Sequence, residues 1–325
     1  MSAKVLVVGG AGYIGSVTAA VLAAEGFDVV TFDDLSTGHA AAATGQLIEG
    51  DIRDRELLTR VLSEGRFDAV MHFAAKSLVG ESVAHPLRYY DVNVGGTASL
   101  VCAMQEAGVH CLVFSSTCAI YGDPHYLPLD EAHPQNPVSP YGASKKMVEE
   151  MLAACRDKED LRVTTLRYFN AAGCMPDGSL GESHKTETHL IPLAIAAALG
   201  NRAPLSLFGT DYDTRDGTCI RDYIHVLDLA DAHVKALNRL LEGDRGDAYN
   251  VGTGVGTTVR EVLAAIGRAL GTEVPHGVAE RRPGDPPALF AAADKIQQDL
   301  GWHPRWTNID SIVETAAQWA RSPRF

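Results

Sequence analysis

No stretch of this chain approaches the ~18–20 consecutive apolar residues that a membrane-spanning helix needs. It also lacks a C-x-x-C pair, an internal repeat, a coiled coil and a low-complexity tail. The chain enters an apolar strand pattern at once, without a leader, so a cytoplasmic protein is expected, with no membrane association. Its six cysteines (Cys102, Cys111, Cys118, Cys155, Cys174, Cys219) are scattered, as for reduced thiols. The twelve histidines show no ligand-like spacing with cysteines or carboxylates, and no metal is expected. Basic residues are few: 28 Lys and Arg against 41 Asp and Glu give a net charge of −13. That balance argues against nucleic acid and anionic membranes as partners. A polyphosphate ligand would need local arginines to offset the global repulsion.

At 325 residues, 46% hydrophobic and 21% charged, the chain has material for a large core and two lobes. Its most informative string is Ser139-Pro-Tyr-Gly-Ala-Ser-Lys145. Pro140 can begin a helix, and residues four apart share a helical face, so Tyr141 and Lys145 point the same way. A free tyrosine, with a pKa near ~10, is a poor base at neutral pH. An ammonium about 4 Å away favours the phenolate by roughly 1–4 kcal/mol. Thr117 offers a hydroxyl from 24 residues upstream. The three together are a minimal kit for moving a hydride while controlling a proton. A helix start with an aromatic packed under a lysine stem has the same spacing.

The other half of such a kit is N-terminal. Lys4–Val8 reads as a buried strand, Gly9-Gly-Ala-Gly12-Tyr-Ile-Gly15 follows, and Ser16–Glu25 reads as a helix. Glycines so placed allow a tight turn, backbone approach to a pyrophosphate and close helix-to-strand packing. The helix N-terminus then faces phosphate with free N–H groups. A second strand, Asp28–Phe32, ends at Asp33, where a carboxylate accepts from a ribose 2′-hydroxyl and repels a 2′-phosphate. With no arginine close behind it, the expected cofactor is NAD rather than NADP.

Strand and helix patterns alternate onward. Strands are expected at Leu47–Glu49, Ala69–His72, Cys111–Ser115 and Arg162–Tyr168, and helices at Asp54–Glu64, about His85–Ala107 and from Tyr141. Alternation implies an α/β fold with a doubly wound parallel (Rossmann) sheet and ligands above the strand C-terminal ends. The motif residues fall on such ends: Gly9, Asp33, Asp51, Phe73-Ala74-Ala75, Ser115 to Thr117, and Phe169-Asn170. Asp51 is equally readable as a turn residue near the next helix cap. Residues 1–170 are expected to form the NAD-binding domain. Residues 171–325 would form a smaller α/β substrate-binding domain, with about 223–252 rejoining the first sheet.

These strings resemble the extended short-chain dehydrogenases and, within them, the sugar-nucleotide 4-epimerases. The similarity runs from Val5 to about Trp319. Its marks are residues 9–16, Gly-Asp-Ile-Arg (50–53), His-Phe-Ala-Ala (72–75), Val-Gly-Glu-Ser (79–82), Phe-Ser-Ser-Thr (114–117), Arg-Tyr-Phe-Asn (167–170) and Gly-Thr-Cys-Ile-Arg-Asp-Tyr-Ile-His-Val (217–226). The resemblance implies interconversion of UDP-glucose and UDP-galactose. Tyr141 would take the 4-hydroxyl proton as hydride passes to NAD. Lys145 would lower the tyrosine pKa and hold ribose, Thr117 would bond the sugar, and the 4-keto sugar would swing and take the hydride on its other face. It extends the cofactor contacts to Tyr13, Ile14, Ile52, Asn93, Ser115 and Phe169. For the UDP-sugar it implies Asn170, His189, Leu190, Ser206, Leu207, Phe208, Arg221, Arg282 and Asp285, while Arg281 reads as a surface ion pair. Related dehydratases carry Asp-Glu after the threonine; here Cys118 and Ala119 stand there, which disfavours elimination. Leu289 occupies a position where relatives differ in admitting N-acetylated sugars. A homodimer through helices around 90–107 and 143–156 is also implied, with Val94, Ala98, Val101 and Ala103 as apolar positions that the core could equally use.

Overall fold

The structure is a computed structural model describing residues 2–282 and 284–325. Its first half alternates β1 (Lys4–Val8), α1 (Tyr13–Ala24), β2 (Asp28–Asp33), β3 (Gln46–Glu49), α2 (Arg55–Gly65) and β4 (Ala69–His72). Then come α3 (Val79–Ala84), α4 (Pro86–Tyr89), α5 (Gly96–Ala107), β5 (Cys111–Thr117), α6 (Pro140–Lys158) and β6 (Arg162–Tyr168). The second half holds β7 (Asn170–Ala172), α7 (Leu190–Ala198), β8 (Leu205–Phe208), β9 (Ile220–His225), α8 (Val226–Leu241) and β10 (Ala248–Val251). It closes with β11 (Gly256–Thr258), α9 (Val259–Leu270), β12 (His276–Ala279), β13 (Ala288–Leu289), α10 (Asp294–Leu300) and α11 (Ile309–Arg321).

Seven strands form one parallel sheet in the order β10-β6-β5-β4-β1-β2-β3. Successive side chains alternate between its faces, as the pleat requires. Val5 and Val7 pack with α1 and α8, whereas Leu6 and Val8 pack with α2, α5 and α6. Both faces are therefore covered, which is why the strands read as unbroken apolar runs. The order in which strands are added reverses between β1 and β4, and the crevice at that switch point is where such sheets bind ligands. Trp302 is fully buried beneath α8, its indole donating to the Asp228 carbonyl at 2.9 Å.

Three departures from the sequence reading have local causes. Helix α1 begins at Tyr13, not Ser16, because the glycine turn closes quickly. The expected helix from His85 to Ala107 contains a π-helical turn at Tyr90–Gly95. That turn carries Asn93, whose amide bonds the Lys76 carbonyl and the Ser144 hydroxyl, and π turns are frequent at functional positions. Of the stretch expected to rejoin the sheet, α8 and β10 do so. β9 instead centres a second, four-stranded sheet with β7, β11 and β13. Val101 and Ala103 lie in the core beneath α5, so they are not available for subunit contact.

Behind β5, Arg167 and Glu149 form a pair with only 7% and 8% of each side chain exposed. The guanidinium donates to Glu149 Oε2 at 2.6 Å and to the Tyr121 hydroxyl at 3.0 Å. Glu149 also accepts from the Ser116 hydroxyl. Breaking a buried pair strands a charge, whereas removing both partners does not. Glu149→Gln should therefore cost about 3–5 kcal/mol, while the double replacement Glu149→Leu/Arg167→Met should cost less than the single one. Urea unfolding of the three proteins checks this ordering.

Candidate active site

The crevice above β1, β2 and β4 is a cavity of about 320 Å³ lined by Gly9, Gly12, Asp33, Asp51, Ile52, Phe73, Ala74 and Ala75 among others. Gly9 sits at φ +82°, and a Cβ there would lie 2.4 Å from the Ala74 nitrogen. A Cβ on Gly15 would lie 2.1 Å from the Gly9 carbonyl oxygen, so both positions exclude any larger residue. Gly12 is the N-cap of α1 without a side-chain cap, leaving the first N–H groups of the helix facing the cavity. Asp33 accepts from the Ala11 and Leu35 amides, both at 2.9 Å. Burial raises its carboxyl and those amides pull it back. An uncapped helix end beside a fixed carboxylate suits a dinucleotide with free ribose hydroxyls, so these residues fit NAD.

Tyr13, Ile14, Asn93, Ser115 and Phe169, also expected to touch the cofactor, are not among the residues that line this cavity. Tyr13 donates its hydroxyl to the Gly173 carbonyl at 2.6 Å, and Ile14 packs into the core between α1 and α8. Asn93 Oδ1 accepts from the Lys76 amide at 2.8 Å and steadies the segment after Ala75. Asp51 is paired with Arg53, whose guanidinium holds its carboxyl below the usual range. The Ser115 hydroxyl bonds His233 Nε2 at 2.8 Å, and Phe169 is buried beside Ile120 and Tyr121.

Thr117 ends β5 and Tyr141 opens α6, which starts at Pro140 and is capped by the Ser139 hydroxyl. Burial pushes the Tyr141 phenol up to about 12, against the lowering effect of the neighbouring Thr117 hydroxyl. Lys145, 4% exposed, donates from Nζ to the Ser115 carbonyl at 2.8 Å and lies 4.7 Å from the Phe114 ring centroid. Burial lowers its ammonium to about 7, with Glu149 acting in the opposite sense. From the sequence alone, the ammonium is expected to act directly on the phenol. In the protein alone the lysine is turned to a strand carbonyl, and desolvation dominates both groups. Ionising Tyr141 therefore requires further positive charge beside it.

A second cavity, about 410 Å³, is lined by Asn170, His189, Leu190, Ser206, Leu207, Phe208, Arg221, Arg282 and Asp285. Arg221 is ion-paired with Asp285, and the Arg282 guanidinium lies 4.0 Å from the Phe208 ring centroid. Arg281 instead pairs with Asp211 at 2.8 Å and stacks on Tyr212. Cys219 and Tyr223 also line this cavity and were not singled out from the sequence. They share a strand face with Arg221 by the two-residue period of β9, a signal that was readable. His189 lines the cavity, but its Nδ1 turns to Glu182 at 2.6 Å and Glu187 at 3.1 Å. Burial opposes the imidazolium, yet the two carboxylates outweigh it and raise His189 to about 10. His184 joins this group, so Glu-x-His-x-x-Glu-x-His (182–189) is a ligand-type spacing that the sequence reading passed over.

The chain from residue 5 to 252 matches the model of the NAD dependent epimerase/dehydratase family. It is 53% identical over 317 residues to the UDP-glucose 4-epimerase of Rhizobium meliloti, covering 97% of this chain and 96% of that one. Among solved structures, UDP-glucose 4-epimerase from Brucella ovis in complex with NAD superposes with a TM-score of 0.96 at 49% identity, covering 98% and 99% of the two chains. The Stenotrophomonas maltophila enzyme with bound NAD and formylated UDP-arabinopyranose gives 0.95 at 38% identity, covering 99% and 98%.

Asp33→Ala removes an ionic hydrogen-bond acceptor worth about 1.5–3 kcal/mol. NAD affinity should fall roughly 10- to 150-fold, with the preference over NADP narrowed, as read by fluorescence titration with each dinucleotide.

Proposed function

Because the chain belongs to the NAD-dependent epimerase/dehydratase family, we propose that it interconverts UDP-glucose and UDP-galactose by inverting the sugar at C4. The observation that carries this reading is the convergence of Thr117, at the end of β5, with Tyr141, at the start of α6 and one helical turn from the buried Lys145. Bound NAD supplies the hydride acceptor and donor and a cationic ring. Tyr141 takes the proton from the sugar 4-oxygen and later returns it, and Thr117 aligns that oxygen. Lys145, fixed by the Ser115 carbonyl, adds positive charge behind the phenol. Arg221 and Arg282 grip the diphosphate, Asp285 takes ribose hydroxyls, and Phe208 with Leu207 walls the base. With the nucleotide so anchored, the 4-keto sugar can swing and present its other face.

Elimination chemistry needs an acid after Thr117. The Cys118 thiol, pushed up to about 12 by burial, stays neutral, and Ala119 cannot titrate. Both support reversible oxidation instead. Leu289, packed against the cluster of Phe169 and Ile120, is intermediate in size, which supports glucose and galactose over acetamido sugars. Residues 1–170 with α8 and β10 form the NAD-binding unit in this reading, and the rest of 171–325 the substrate unit. The exposed apolar Val83, Leu87 and Met147 on α3, α4 and α6 support a homodimer through that face. The scattered free cysteines support a cytoplasmic location.

The pure protein should convert UDP-galactose to UDP-glucose without added NAD. Tyr141→Phe should lower kcat by about 10²–10⁴-fold while the NAD content stays unchanged. Full activity in that variant would remove Tyr141 from the chemistry.

A further inference from the structure

The loop between β7 and α7 brings four metal-ligating side chains to one point. One donor atom from each of Glu182, His184, Glu187 and His189 lies within 4.8 Å of every other. His189 Nδ1 is 2.6 Å from Glu182 Oε1 and 3.1 Å from Glu187 Oε1. His184 Nδ1 is 3.1 Å from Glu187 Oε2 and 3.5 Å from Glu182 Oε1. An ion held tetrahedrally at about 2.0–2.1 Å separates its ligand atoms by about 3.3 Å. The observed spacings bracket that value, so small side-chain adjustments would close a four-donor shell.

Charge points the same way. The Glu182 and Glu187 side chains are only 8% and 19% exposed, yet among the described residues neither is ion-paired to a lysine or arginine. Partly buried carboxylates without a fixed cation are costly. Without an ion the carboxylates lean on His189 held as an imidazolium against its burial; with both imidazoles neutral, as metal ligands must be, the four side chains carry −2, the charge that a divalent ion cancels. The donors are also held in place. The Trp319 indole donates to the Glu182 carbonyl at 2.8 Å. Glu187 Oε1 accepts the Thr188 and His189 amides at 2.7 and 2.8 Å, which orients Oε2 toward His184. Ligating carboxylates are typically steadied by such outer bonds.

We propose that Glu182, His184, Glu187 and His189 bind one divalent cation of the zinc class in a closed N2O2 shell. Four protein donors leave no open position, so the site is structural rather than catalytic. It pins the start of α7 (His189 and Leu190 wall the second cavity) to the loop that follows Gly173. Gly173 in turn holds the Tyr13 hydroxyl of the dinucleotide turn. The ion would thus brace the two cavities against each other. Its binding does not depend on which sugar nucleotide the protein takes.

The test uses untagged full-length protein, loaded with Zn²⁺, dialysed, and assayed for metal by mass spectrometry. About one zinc per chain is expected, and Co²⁺ loaded instead should give the visible bands of a tetrahedral site. His184→Ala removes a half-buried ligand at little risk to the fold, and Glu182→Gln removes a charge. Each should weaken zinc binding at least tenfold with an unchanged circular dichroism spectrum, while His303→Ala, at an exposed histidine, leaves it intact. Zinc should also raise the Tm of the wild type and not that of His184→Ala. No retained zinc in the wild type, or equal retention in folded His184→Ala, would overturn the proposal and leave an imidazolium–carboxylate ion-pair cluster only.

Discussion

The 2.8 Å hydrogen bond from Lys145 Nζ to the Ser115 carbonyl joins α6 to β5 inside the protein, and the candidate chemistry hangs from that seam. It sets Tyr141, at the head of the helix, against Thr117, at the tip of the strand. One turn further along α6, Glu149 ties Ser116 and Arg167 into the same layer. An ammonium can be held in so dry a place only because a carbonyl, an aromatic face and the more distant Glu149 carboxylate share its charge. The same dryness makes both titratable groups sensitive to any charge placed beside them.

The seam stands between two cavities built by different physics. On the dinucleotide side, a glycine turn, an uncapped helix end and the carboxylates of Asp33, Asp34 and Asp51 help line the cavity. On the other side, arginines and an aromatic ring dominate, as an anionic ligand demands of a chain with net charge −13. Two of its arginines are already engaged in the protein alone, Arg221 by Asp285 and Arg282 by the Phe208 ring. A bound diphosphate would therefore compete with pre-set partners, which favours order in the pocket over maximal affinity.

Much of this was legible in the sequence because the informative residues sit at strand ends, and strand ends follow from apolar runs. The Rossmann half, the glycine turn, Asp33 and the Tyr141 to Lys145 spacing all emerged that way. What escaped reading depended on tertiary placement. β9 reads like another strand of the main sheet, yet it turns aside to pair with β7, β11 and β13. The π turn at Tyr90–Gly95 leaves no periodicity mark, being set by where Asn93 bonds. The Glu182 to His189 quartet was missed because loop spacing becomes convergence only once the loop is folded. The direction of the Tyr141 shift was missed because desolvation is invisible in a string of letters.

We propose that, once NAD is bound, Lys145 and the cationic ring of the cofactor together bring down the proton affinity that burial gives Tyr141. Ultraviolet difference titration of the NAD-loaded protein against its Tyr141→Phe variant isolates that one phenol. Ionisation should fall far below the value of about 12 that burial imposes, with a clear rise toward that value in Lys145→Met. An identical titration with and without the lysine would contradict it.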